Sequence, residues 1–367
     1  MKHFKRIAVV TSHLAPGDAV SNDVVGMCDA FLKRGYDARM YAGSCDFDDP
    51  VVHPISEIQS FIDQPDDLVI YHHSIAWTPG QQLLRDAKCQ IGIKYHNITP
   101  AEFFTGISPW HEEMCRTGRE ELWEIARAGC DFYLADSTYN RDELLELGAP
   151  AERSFVVPPF HHIDTLESLD AELDTLDIYR DGKTNILMVS RIAPHKGHVA
   201  LLEAFATYYL DYNSDSRLII VGKEEEPFES YSQQLRDVSA NLMLDGAVVF
   251  TGPASPDELK SYYLVSHLFA IASEHEGFCV PIVEAMALKV PVIAYASSAI
   301  PDTLGDGGML LDERNPRLMG ATMHRMICDE DLSFNLAVKG RQRYLDKFTN
   351  EKIETALFSA LDQLISE

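Results

Sequence analysis

Ser273–Glu284 reads SEHEGFCVPIVE, and the fold is decided in this dozen residues. The apolar run before it, Leu268–Ala272, reads as a buried strand. Gly277-Phe278 make a turn, and Pro281 suits the first position of a helix, where a missing N–H costs nothing. The stretch is therefore strand, tight loop, helix, with Glu276 in the loop and Glu284 in the first helical turns. A helix N-terminus attracts phosphate through its free N–H groups and dipole. A carboxylate beside it can take both hydroxyls of a ribose. Two glutamates near a helix start can also serve only to complement the dipole, so the reading needs partners elsewhere in the chain.

Working outward, short apolar runs alternate with amphipathic stretches, the pattern of parallel α/β architecture. The first half offers strands at Ile7–Val10, Ala38–Ala42, Leu68–His72, Gln90–Tyr95, Phe132–Ala135 and Phe155–Val157, with a helix over Trp110–Ala128. The second half offers Asn185–Val189, Arg217–Val221, Val248–Thr251, Leu268–Ala272, Pro291–Tyr295 and Met309–Leu311. Two such series imply two doubly wound, Rossmann-like domains with parallel sheets facing across a cleft. The expected boundaries are 1–160, 161–350 and a terminal segment 351–367. The break falls at Pro158-Pro159, before an acidic stretch, Asp164–Asp181, expected as a solvated helix or loop. Ile353, Leu357, Leu361 and Leu364 share one face of a terminal helix.

At 367 residues the chain is long for one domain. A net charge of −26 argues against a nucleic-acid partner. It also weakens a broad polybasic membrane surface while leaving room for a local basic patch. Seven scattered cysteines show no ligand spacing and read as reduced, which implies a cytoplasmic chain. The run Ile7–Val10 is too short for a signal peptide, and no segment reaches transmembrane length.

Ligands of open parallel sheets sit beyond the carboxyl ends of strands. After the strand 185–189 comes Ser190-Arg191-Ile192-Ala193-Pro194-His195-Lys196-Gly197. There a bidentate guanidinium and a point-charge ammonium suit adjacent phosphates. Ser12–Asn22, with Gly17 and Asp18, follows the first strand, and glycine permits close approach of a ligand; the spacing is not that of a dinucleotide fingerprint. Tyr95-His96-Asn97 ends a strand where a histidine can bond a substrate hydroxyl. His72-His73 and His161-His162 are poor chelates, because neighbours on a strand point to opposite faces. Asp46-Phe47-Asp48 and Asp329-Glu330-Asp331 carry a spacing used for Mg²⁺, but such triplets arise readily in an acidic chain. No metal site is expected.

Together these pieces resemble the retaining glycosyltransferases of family 4, with the GT-B fold, over nearly the whole chain. The resemblance rests on EGFC-x-P-x-x-EAMA (Glu276–Ala287) and SR-x-x-x-x-KG (Ser190–Gly197). YHN-x-TP (Tyr95–Pro100), ADSTYN (Ala135–Asn140) and PVIAY (Pro291–Tyr295) add weaker support. By that resemblance Arg191 and Lys196 would bind the donor diphosphate, Glu284 the ribose and Glu276 hydroxyls of the sugar. Gly277, Phe278, Cys279 and Val280 would complete the donor stretch, Gly17 would offer an N–H near the phosphate, and His96 would sit beside the anomeric carbon. Asp18, His73, Asn97 and Glu102 are candidates on the acceptor side. The terminal helix would pack back on the first domain.

The implied activity is a metal-independent hexosyl transfer from a GDP- or UDP-sugar, GDP-mannose first, with no cofactor. The acceptor would be a saccharide or lipid-linked saccharide in cell-surface polysaccharide synthesis, at the inner face of the cytoplasmic membrane, with at most weak peripheral contact. The chain departs from the pattern at Lys289, Ser297-Ser298-Ala299-Ile300, Asp302 and Glu224. A sugar-nucleotide epimerase of the same fold and a catalytically silent nucleotide-sugar sensor are the competing readings.

Overall fold

In this computed structural model, which describes residues 4–48 and 50–365, every sheet pairing is parallel. The chain forms two units. The first comprises the chain up to Ala101, Trp110–His162 and the chain from Thr349 onward; the second comprises Glu102–Pro109 and Ile163–Phe348.

In the first unit the strands are β1 (Arg6–Leu14), β2 (Asp37–Cys45), β3 (Val52–Pro54), β4 (Leu68–His73), β5 (Gln90–Tyr95), β6 (Phe132–Ala135) and β7 (Ser154–Val156). They run in the order β3-β2-β1-β4-β5-β6-β7. β1 is flanked on both sides: Ile7 pairs with Ala38 of β2 and Leu68 of β4. Burial on both faces explains the unbroken apolar run Ile7–Val10. The helix Asn350–Ile365 closes this core, placing Ile353, Leu357 and Leu361 against a cluster that includes Val24, Phe31 and Ile70, with Leu364 partly buried beside them.

In the second unit β8 (Thr184–Val189), β9 (Ser216–Val221), β10 (Val248–Gly252), β11 (Leu268–Ile271), β12 (Val292–Tyr295) and β13 (Met309–Leu311) run in the order β10-β9-β8-β11-β12-β13. Strand order therefore reverses between β1 and β4 in one unit and between β8 and β11 in the other. Such switch points open a crevice at the strands' carboxyl ends.

The structure departs from the sequence reading in four places. β3 was not expected: Val52-His53-Pro54 has no apolar run, and a proline strand is tolerated because it lies at the sheet edge. The acidic stretch is not a solvated segment throughout. It overlaps the helices Ile163–Ser168 and Leu173–Tyr179, which bury Ile163, Leu166 and Leu176 among the charges. The loop expected over Ser12–Asn22 shrinks to four residues between β1 and a helix beginning at Ala19. Finally, the short stretch Glu102–Pro109 counts with the second unit, where Phe104 is buried and stacks on Phe228 (5.7 Å between centroids). Phe103 packs against His195 and His275.

Candidate functional site

The second unit's switch point collects the residues singled out above. The loop after β8 carries Arg191 and Lys196; the loop after β11 carries Glu276 and leads into the helix Val280–Ala287, which carries Glu284. Backbone bonds stitch the two loops together, with Glu274 N–H donating to the His195 carbonyl at 2.8 Å. Two glycines permit close backbone approach here, Gly197 between these two loops and Gly222 between the β8 loop and the end of β9. A Cβ on Gly197, whose φ is +69°, would lie 1.9 Å from the Ala272 carbonyl oxygen. One on Gly222 would lie 1.7 Å from the Ser190 carbonyl oxygen. Neither position admits a side chain.

Lys196 Nζ meets both carboxylate oxygens of Glu276, at 2.8 and 2.9 Å. The lysine side chain is 16% exposed and that of Glu276 7%, so this ion pair is held largely away from water. Arg191 is different: its side chain is 57% exposed and its nearest carboxylate, Glu225, lies 3.9 Å away. The site therefore offers one cation already paired and one presented to solvent. His195 between them is buried among Phe103 and Phe104. Burial, then the charges of Lys196 and Arg191, push its pKa well below the ordinary imidazole value, so it adds no third charge.

Around Glu276 the departures from the family pattern acquire physical meaning. Its backbone N–H donates to Ser298 Oγ at 2.7 Å, and Ser297 Oγ donates to the Ser273 carbonyl at 2.6 Å. The serine turn thus braces the loop from below with side-chain hydroxyls. Lys289, one of those departures, has φ +59°, just past the helix end at Leu288. That left-handed place favours glycine. Glu224 is ion-paired with Arg236 at 2.6 Å.

The helix Val280–Ala287 begins from Cys279, which is held at φ +75°. Left-handed non-glycine residues concentrate at functional turns. Pro281 takes the second helical position rather than the first, because the left-handed turn lets Val280 enter the helix ahead of it. Phe278 is buried on Phe348, and Cys279 is buried too, so what this bend presents is backbone. Glu284 accepts from the Tyr263 hydroxyl at 2.7 Å through Oε2. Burial raises the Glu284 pKa above the ordinary carboxyl value, and the tyrosine bond opposes that rise.

A second cluster lies under the carboxyl ends of β4, β5 and β6 in the first unit. His96 Nδ1 is 3.0 Å from Asp136 Oδ2, and its Nε2 is 2.8 Å from His72 Nδ1. Both ring nitrogens are engaged and the side chain is only 4% exposed, so in this conformation the imidazole faces the protein. Lys94 Nζ pairs with Asp136 at 2.6 Å and also donates to the Val157 carbonyl. Asp23, on the helix after β1, accepts from Phe160 N–H at 2.7 Å and lies 3.7 Å from Lys94.

Asp23, His72 and His96 bring three ligand-type atoms within 4.8 Å of one another. Such a set can hold a divalent ion. Here the Lys94 ammonium shares the pocket, and the facing histidine nitrogens are already within bonding distance of each other. One lysine against two carboxylates leaves a single negative charge; one proton neutralises it, whereas a divalent ion overshoots. Burial accordingly raises the Asp23 pKa, while His96 and Lys94 together outweigh burial at Asp136 and lower it.

The acceptor-side candidates are placed as follows. His73 is in the core, not at a surface: Nε2 donates to the Gly118 carbonyl at 3.0 Å, and burial pushes its pKa down to about 4. Asn97 is buried with φ +70°, its amide donating to Asn140 and Glu143. Asp18 caps the helix after β1, accepting from Ser21 N–H at 2.9 Å. Gly17 has φ +77° with open space where a side chain would be, and Glu102 is exposed. Asp329 caps the helix Glu330–Lys347, a structural use for one acidic triplet.

Tyr263, Asp23 and Lys94 were not singled out in the sequence, and Ser298 and Asp136 entered only within the Ser297–Ile300 turn and the ADSTYN motif. Lys94 in mid-strand, flanked by apolar residues, was the one visible signal: a lysine buried in a sheet requires an acid partner.

Residues 178–343 match the family model for glycosyl transferases group 1. The chain is 31% identical over 151 residues to a D-inositol 3-phosphate glycosyltransferase of Corynebacterium kroppenstedtii, covering 40% of this chain and 33% of that protein. It is 25% identical over 225 residues to a GDP-mannose-dependent phosphatidylinositol monomannoside mannosyltransferase of Mycobacterium tuberculosis, covering 58% and 57%. The matches thus span from a third to somewhat over half the length of these curated relatives. Among solved structures, Anabaena HepE in complex with UDP and glucose superposes with TM-score 0.76 at 17% identity, covering 98% of this chain and 99% of that one. Sucrose-phosphate synthase of Thermosynechococcus elongatus gives 0.78 at 18% identity, covering 99% of each. The fold is GT-B. Among the described residues no helix is long and apolar enough to cross a membrane.

Proposed function

We propose that this protein is a retaining glycosyltransferase that moves a hexose from a nucleotide-sugar to a saccharide or lipid-linked acceptor. The observation that carries the reading is the gathering of Arg191, Lys196, Glu276 and Glu284 at one switch point inside the stretch that matches the group 1 model. A departing nucleoside diphosphate is stabilised by cations and helix N–H groups aimed at its developing charge. Arg191, Lys196 and the start of the helix at Val280 fill those roles without a divalent ion. Glu276 would hold sugar hydroxyls and Glu284 the ribose. Same-face attack, with the leaving phosphate helping to take the acceptor proton, would retain configuration.

GDP-mannose is the first choice of donor, supported by the printed name of the mycobacterial relative; UDP-glucose is the second, supported by the sugar nucleotide components bound to HepE. Synthesis of a cell-surface polysaccharide at the inner face of the cytoplasmic membrane is the setting this reading implies. A thermal-shift panel of GDP, UDP and ADP is expected to single out one base. Donor hydrolysis or transfer, followed by mass spectrometry, is expected in wild type, undiminished by EDTA, and lost in Arg191→Ala. Strong inhibition by EDTA would overturn metal independence. Interconversion of the donor sugar without acceptor would identify an epimerase, and binding without turnover a sensor.

A further inference from the structure

We propose that Tyr263 is a positioning residue for the nucleotide: its hydroxyl fixes one oxygen of Glu284 so that the other is presented to the ribose. This rests on the ribose role given to Glu284 above. Tyr263 lies on the helix Pro256–Leu264, which is anchored at its start by a reciprocal Ser255–Glu258 capping box. Its ring is fully buried and lies stacked on Phe269 of β11, 5.9 Å between centroids. The hydroxyl position is therefore set by packing on the same strand whose end carries the Glu276 loop.

From there the hydroxyl donates to Glu284 Oε2 at 2.7 Å and also lies 3.3 Å from the Pro281 carbonyl oxygen. Oε1 takes no hydrogen bond from the described residues. A carboxylate with one oxygen tied and one open has a defined rotamer and one accepting edge. A hydrogen bond to a charged acceptor is among the stronger kinds. The bond does a second thing: it favours the ionised carboxylate that a ribose diol needs, against burial, which favours the protonated form. A tyrosine in this place is not required by packing alone, because phenylalanine has the same ring.

Tyr263→Phe deletes only the hydroxyl, and a double-mutant cycle with Glu284→Gln isolates what it does. In isothermal titration with GDP and UDP, Tyr263→Phe is expected to weaken binding of the accepted nucleotide by about tenfold. Binding of inorganic pyrophosphate should stay unchanged. The loss should vanish in the Glu284→Gln background, and it should deepen in wild-type-sequence Glu284 protein as pH falls. Without ligand, the ¹³C-carboxyl titration of Glu284 should move to higher pH in Tyr263→Phe. An unmoved titration, or an equal loss in the Glu284→Gln background, overturns the proposal. If instead Glu284→Gln itself leaves nucleotide binding intact while the titration still moves, the ribose role fails and the tyrosine's hold on the carboxyl stands.

Discussion

Lys196→Ala is expected to lower kcat/KM for the nucleotide-sugar by about 100- to 1,000-fold, the cost of deleting one pre-placed charge partner of a transition state. The geometry makes the loss larger than that of one contact. Lys196 Nζ touches both oxygens of Glu276, whose side chain is 7% exposed. Without the lysine, a shielded carboxylate faces an incoming diphosphate with nothing to balance it. The double variant Lys196→Ala/Glu276→Gln should therefore bind donor better than Lys196→Ala, although it should not regain turnover. Lys196→Arg should rescue poorly, since a planar fork does not replace a compact ammonium. Steady-state kinetics with the accepted donor decides this; a change under about fivefold would remove Lys196 from the phosphate site.

Lys94→Met should cost about 3–5 kcal/mol of stability, the usual consequence of removing one partner from a buried charge network. The side chain is wholly buried, paired with Asp136 at 2.6 Å and near Asp23 at 3.7 Å. Both carboxylates would lose the buried ammonium that faces them. The sign of the pH effect follows. In wild type the Asp136 pKa is held low, so its stabilising contribution is present at neutral pH and fades as pH falls through that lowered value. In Lys94→Met both acids rise, and the deficit should shrink as the solution is acidified and they take up protons. Urea unfolding at pH 7 and pH 5 measures the difference. Equal deficits at the two pH values would mean that Lys94 acts through packing. Lys94→Met/Asp136→Asn should recover part of the lost stability.

The outline of the fold was legible because parallel strands are short, apolar and followed by helices, so their carboxyl ends can be located without coordinates. Arg191, Lys196, Glu276 and Glu284 follow strand ends and were found that way; the structure places all four at one switch point. What remained hidden depends on distance between elements. Asp23, Lys94 and Asp136 are separated by dozens of positions, and nothing local marks them as one cluster. Tyr263 reads as an ordinary apolar helix residue until its hydroxyl is seen on Glu284. His73 and Asn97 misled for the opposite reason: polar residues at strand ends look available, yet the chain uses them to satisfy its own buried backbone and amide groups.

Because Glu102–Pro109 lies with the second unit while the chain on either side of it lies with the first, neither unit is a single uninterrupted run of sequence. An expression fragment confined to residues 178–343 would omit Phe103 and Phe104 and bare the faces of Phe228 and His195 that they cover. Domain-swapping chimaeras joined at one crossover near Ile163 would inherit the same mismatch, exchanging a body without the octapeptide that seals it.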